Sequence, residues 1–95
     1  MDSLITVWSS EALQDVDDIA EYITKDSKFY ASSVVEKIIS STRILKKFPK
    51  IGRIVPEFED ENIREIFVYD YRLVYHILSN KILIVTVIHG KRKLM

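Results

Sequence analysis

Cysteine is absent from the 95 residues, so there is no disulfide framework, no thiol chemistry and no thiolate-held metal. Only His76 and His89 are histidines, which leaves carboxylates as the remaining metal ligands. The acidic run Glu57-Phe58-Glu59-Asp60-Glu61 lacks the spacing of a calcium loop. No metal and no cofactor is therefore expected. Glycine and proline number two each, too few for a glycine-rich phosphate loop or a flexible linker. No apolar run approaches the ~20 residues that cross a bilayer. The opening MDSLITVW has no basic stretch of the signal-peptide kind. A cytoplasmic protein with no membrane contact is the expectation.

Net charge is also lacking, at +0, and taken alone that argues against a polyanion partner. The average conceals a split. Residues 1–27 hold seven acids against Lys25, whereas residues 28–95 hold thirteen Lys or Arg against seven acids. The second part is basic enough to face a polyanion, and solvated helix faces of opposite sign would produce the same split.

What is present is apolar, at 47% of residues, in a chain the length of one small domain spanning 1–95. Val, Ile, Tyr and Phe crowd the stretch from Ile63 to His89 and suit a pleated, half-buried surface. Three antiparallel strands are predicted at 63–69, 71–78 and 82–89, with Ser79-Asn80-Lys81 as a hairpin turn. Alternation puts Tyr71, Leu73, Tyr75 and Ile77 on one face and Arg72, Val74, His76 and Leu78 on the other. In the last strand it groups Leu83, Val85, Val87 and His89 against Ile82, Ile84, Thr86 and Ile88.

A first strand is predicted at 4–8, then a helix capped by Ser9 or Ser10 with an apolar stripe of Leu13, Val16, Ala20 and Ile23. A second helix follows over 28–48, with Ala31, Val34 or Val35, Ile38, Thr42 and Leu45 in its stripe, stopped by Pro49 and Gly52. Residues 49–62 form an irregular connection with room for a short strand at 53–56. The order β-α-α-β-β-β gives an α+β domain, a twisted antiparallel-rich sheet with a helical hairpin on one face.

The basic residues Arg53, Arg64, Arg72, Lys91, Arg92 and Lys93 are the candidates for one phosphate-binding surface, since guanidinium groups engage phosphates bidentately. The bland alternative pairs Arg64 with Glu65 or Glu57 and leaves 91–93 a frayed, solvated tail. Arg72 stands inside an apolar strand and needs a partner there. His89 ends the last strand and is a candidate general acid or base, or simply a satisfied structural residue.

Arg64, the run Tyr71-Arg72-Leu73-Val74-Tyr75, the end Val87-Ile88-His89-Gly90-Lys91-Arg92 and the Phe48-Pro49-x-x-Gly52-Arg53 connection occur in an order that resembles the RelE/ParE family, toxins of type II toxin–antitoxin systems. The resemblance implies the same α+β fold and a cognate antitoxin as partner, in a hetero-oligomer. It implies one of two targets. ParE-like members poison DNA gyrase and are not enzymes. RelE-like members cut mRNA on the ribosome without a metal, and Arg72, Arg92 and His89 would then be catalytic, with Arg53, Arg64, Lys91 and Lys93 binding target or phosphate. No Tyr follows the last strand, where RelE-like nucleases carry a catalytic one, and this leans the reading toward ParE. A third possibility is an inactive relative that only binds the antitoxin.

Overall fold

A computed structural model describes residues 4–94. The chain runs β1 (Ile5–Trp8), α1 (Ser10–Thr24), α2 (Lys28–Ser41), a 3-10 turn (Pro49–Ile51), β2 (Arg53–Ile54), β3 (Ile63–Val68), β4 (Tyr71–Ile77) and β5 (Lys81–His89). The strands form one five-stranded sheet in the order β1-β5-β4-β3-β2. β1 pairs with β5 in parallel, and all other pairs are antiparallel. The expected α+β architecture is thus present, with the short strand in the 49–62 connection as a two-residue edge.

Ser9 starts α1. Its hydroxyl accepts from Ala12 N at 3.0 Å and donates to Val85 O at 2.9 Å, so one side chain caps the helix and ties it to the sheet. Ser27 caps α2 in the same way through Tyr30 N. The buried face of α1 is Ala12, Val16 and Ile23, with Ile19 packed beside them. Leu13, expected in that stripe, is exposed. The spacing 12, 16, 19, 23 follows the helical period more closely than 13, 16, 20, 23.

α2 ends at Ser41, seven residues before the predicted boundary. Ser40, Ser41 and Thr42 each donate a hydroxyl to the carbonyl three residues back, at 3.2, 2.7 and 2.8 Å. Such local bonds compete with the α ladder. The backbone tightens accordingly into turns of the type Arg43 N to Ser40 O and Leu45 N to Thr42 O. Thr42 and Leu45 are still buried, so the apolar stripe outlives the helix.

The second departure lies in β5. The β4–β5 register slips between Val74 and Tyr75, because Val85 is an extra residue in β5. A bulge of this kind inverts the side-chain phase beyond it. Ile82 and Ile84 therefore share the helix-facing core with Val87, not with Ile88 as strict alternation required. The bulge is held from α1: Asp15 Oδ2 accepts from Thr86 Oγ1 at 2.6 Å and Val87 N at 2.9 Å. The second of these bonds serves a backbone N–H that the disrupted ladder would leave unpaired.

Tyr75 is fully buried, its hydroxyl donating to Pro49 O at 2.6 Å and accepting from Gly52 N at 3.0 Å. Burial raises its pKa above the usual phenol value. This clamp holds the connection against the sheet and explains Gly52. A Cβ there would sit 2.6 Å from Glu65 O and 2.7 Å from the Tyr75 hydroxyl. Gly52→Ala should therefore destabilise the fold by about 1–3 kcal/mol, the range for overpacking, as a lowered urea midpoint at unchanged m-value.

Candidate functional site

The helix-distant sheet face carries a buried ionic chain. Register puts Arg53 opposite Glu65 and Phe67 opposite Arg72, and alternation turns these side chains away from the helices. Glu65 is fully buried. It accepts from Arg53 Nε at 2.5 Å and from Arg72 Nε at 2.7 Å. Arg72 grips Glu57 bidentately, through both terminal nitrogens at 2.8 Å, and also donates to Arg92 O at 2.9 Å. The run Arg53–Glu65–Arg72–Glu57 alternates in sign and is neutral as a whole. Val55, Val74 and Ile88, all buried, flank it on this face.

These contacts fix the protonation states. The Arg72 guanidinium holds Glu57 well below its usual 4.5, at about 2, and backbone N–H bonds add to the effect. Arg72 in turn is pushed further above its ordinary value, first by Glu57. A carboxylate so firmly ionised is a weak general base near neutral pH.

Arg53, Arg72, Lys91, Arg92 and Lys93 line one cleft with Pro56, Glu57 and Gly90. Five of the six basic candidates are thus brought together. Their states differ. Arg72 is 4% exposed and four of its five N–H donors are engaged by carboxylates and a carbonyl. Arg53 is largely exposed and also covers the Phe67 ring at 5.2 Å from its centroid. Lys91, Arg92 and Lys93 are exposed, and no salt bridge joins them to a described carboxylate. Arg64 is elsewhere: it donates to Glu61 O, Lys50 O and Gly52 O and so staples the 49–62 connection.

His89 is not brought to Arg72. It pairs across the sheet with Tyr71, whose ring meets its own edge-on at 6.0 Å, whereas Arg72 pairs with Ile88. Adjacent residues of a strand point to opposite faces, so His89 lies on the helix side, in a cleft with Asp15, Asp18, Tyr22 and Arg92, and it also borders a shallow cleft with Phe67 and Lys91. The partners of Arg72, Glu57 and Glu65, were missed as such in the sequence, where they stood only as partners for Arg64. A glutamate alternating with Ile63, Arg64, Ile66 and Phe67 in an apolar strand was the available signal. Cross-strand register, which the chain order does not reveal, was needed to read it.

On the other side of the molecule, Ala20, Ala31, Val35 and Ile39 line a groove between α1 and α2, edged by Lys28, Glu36 and Arg43. No described helix is long and apolar enough to cross a membrane.

The family described as the ParE toxin of type II toxin–antitoxin system, parDE, matches residues 6–94. Among solved structures the chain is similar to the chromosomal ParDE toxin–antitoxin system from P. aeruginosa, at 17% identity over 94% of this chain and 98% of that chain, with a TM-score of 0.78. It is similar to a mutant of E. coli toxin RelE in the free state, at 16% identity over 95% and 86%, with a TM-score of 0.67. It is also similar to the RelBE2 toxin–antitoxin complex from Mycobacterium tuberculosis, at 18% identity over 93% and 99%, with a TM-score of 0.59. No curated protein matches the chain by sequence. At these identities the structural likenesses speak to the fold.

The ionic chain makes two expectations. Arg72→Leu strands Glu65 with one partner in a buried site and should cost about 3–5 kcal/mol, read by urea unfolding at pH 7. Because the folded pKa of Glu57 is depressed, its stabilisation is present in full above pH 4.5 and is lost as pH falls toward about 2. Acid unfolding of the wild type should contain that increment, and Glu57→Gln should lack it.

Proposed function

The chain belongs to the ParE toxin family of type II toxin–antitoxin systems, and from that membership we propose that it arrests growth by poisoning DNA gyrase, in the cytoplasm, until a cognate antitoxin binds it. The observation that supports this target over mRNA is the condition of Arg72. Metal-free RNA cleavage needs a base at the 2′-hydroxyl, cations at the phosphate and a proton for the leaving oxygen. Arg72 is committed to Glu57 and Glu65, Glu57 is held ionised at about 2, and His89 occupies the opposite face. A surface that recognises its target without acid–base chemistry needs none of these groups free.

The exposed cations Arg53, Lys91, Arg92 and Lys93 are the proposed target contacts. They form a rim around a neutral, rigid base, which suits electrostatic recognition of an acidic or phosphate-bearing surface. The antitoxin is proposed to lay an apolar helical face into the α1–α2 groove, where Ile39 is substantially exposed. The similar solved structures that contain ParDE and RelBE2 complexes support a protein partner of this kind. Arg72 and Arg64 enter this reading as structural residues.

Purified protein added to a gyrase supercoiling reaction should inhibit it or accumulate cleaved DNA. Replacing Lys91, Arg92 and Lys93 together by Gln should weaken the effect by tenfold or more. An mRNA in a cell-free translation reaction should stay intact. Ribosome-dependent cuts within codons would instead establish the nuclease reading.

A further inference from the structure

We infer that Glu57 and Arg72 form a latch that fixes the path of the basic tail, so that both act on target recognition through the tail and neither meets the target. This rests on the proposal that the tail cations contact the target. Two bonds carry the inference. Arg72 donates to the carbonyl of Arg92 at 2.9 Å, and Glu57 Oε2 accepts from the backbone N–H of Leu94 at 3.2 Å. The two latch residues are themselves locked to each other bidentately, and Arg72 is anchored below by Glu65. The tail backbone is therefore gripped at two points by a rigid ion pair. Three further bonds complete the hold: Gly90 N to Asp70 O at 2.7 Å, Lys91 N to His89 Nδ1 at 3.2 Å and Arg92 N to His89 O at 2.9 Å. A frayed tail would show none of these.

The consequence is preorganisation. A free segment must be ordered when it binds, and that ordering opposes association. Here the segment that carries Lys91, Arg92 and Lys93 is ordered beforehand, at the cost of hiding one arginine. An anion that reached Arg72 directly would have to displace Glu57 and would release the tail at Leu94. Direct contact and the latch are thus mutually exclusive uses of Arg72, and they predict opposite signs for one substitution. Glu57→Gln unmasks the Arg72 charge and makes the cleft more basic, which would strengthen a direct anion site. It weakens the latch.

The test uses the full chain in four forms: wild type, Glu57→Gln, the triple Lys91→Gln, Arg92→Gln, Lys93→Gln, and all four changes together. Glu57 lies at the rim of the ionic chain, so Glu57→Gln is chosen over Arg72 variants that strand a buried carboxylate. Amide hydrogen exchange is measured at residues 90–94 and at core positions such as Tyr75 and Ile84. Growth arrest at matched protein level is titrated in parallel, because that readout does not depend on which target is correct. Glu57→Gln should speed exchange at Arg92 and Leu94 by tenfold or more, well beyond the change at the core amides, which report only the lost global stability, and should require at least fivefold more protein for arrest. In the triple variant the same change should have no further effect on arrest, which a general loss of structure would not spare. Unchanged tail exchange overturns the latch. Arrest that strengthens in Glu57→Gln overturns it in favour of direct contact by Arg72. Failure of the gyrase assay alone overturns the target and leaves the exchange result standing.

Discussion

Glu65 is a carboxylate with no exposed side-chain surface in the middle of a small sheet, and much of the structure is arranged around its need for counter-charge. An unpaired buried carboxylate is costly, and a pair is tolerated only when geometry and hydrogen bonding are complete. Two arginines complete it, one from the edge strand β2 and one from the central strand β4. The requirement therefore fixes how β2, β3 and β4 align. It also extends outward, since Arg72, once drawn in, needs the second carboxylate of Glu57, and Glu57 brings the 55–60 segment and Leu94 with it. Such a chain contributes little net stability compared with an apolar replacement, but it is intolerant of losing one member. Its effect is to make one register and one tail path far better than the alternatives.

The two faces of the sheet are consequently different in kind. The helix side is an apolar core from Ala12 through Val87, completed by the Tyr75 clamp on Pro49 and Gly52. The far side has a few buried aliphatics around the ionic chain and ends in exposed cations. The β5 bulge marks the junction between them, because it exchanges which residues face the helices and is held in place by Ser9 and Asp15 of the first helical turns.

Much of this was readable from residue order. The strand runs, the cap at Ser9 and the stripe Ala31, Val34, Ile38, Leu45 all follow from local periodicity and capping chemistry, and they stand within a residue or two of expectation. The errors have local causes that compete with periodicity. Three consecutive hydroxyl residues, Ser40-Ser41-Thr42, ended α2 while its apolar stripe continued. One inserted residue, Val85, inverted the faces of β5. At the site, the need of Arg72 for a partner was legible because a charged residue inside an apolar strand cannot stay unpaired. That the partners are Glu57 and Glu65 was not legible, and neither was the removal of Arg64 and His89 from the cleft.

Composition and pattern alone determined the class of fold, the absence of thiol chemistry and a basic tail at the end of the last strand, because these depend on residue type and on periods of 2.0 and 3.6. The motif order around Arg72 was sufficient to bring the family into view. Tertiary structure alone decided which cations are free and which are spent. Charge on a side chain is a property of the sequence, but its availability depends on cross-strand register, on one bulge and on whether a carboxylate from a distant loop arrives within hydrogen-bond reach. For Arg72 the carboxylates arrive, and for the three tail cations no described carboxylate does.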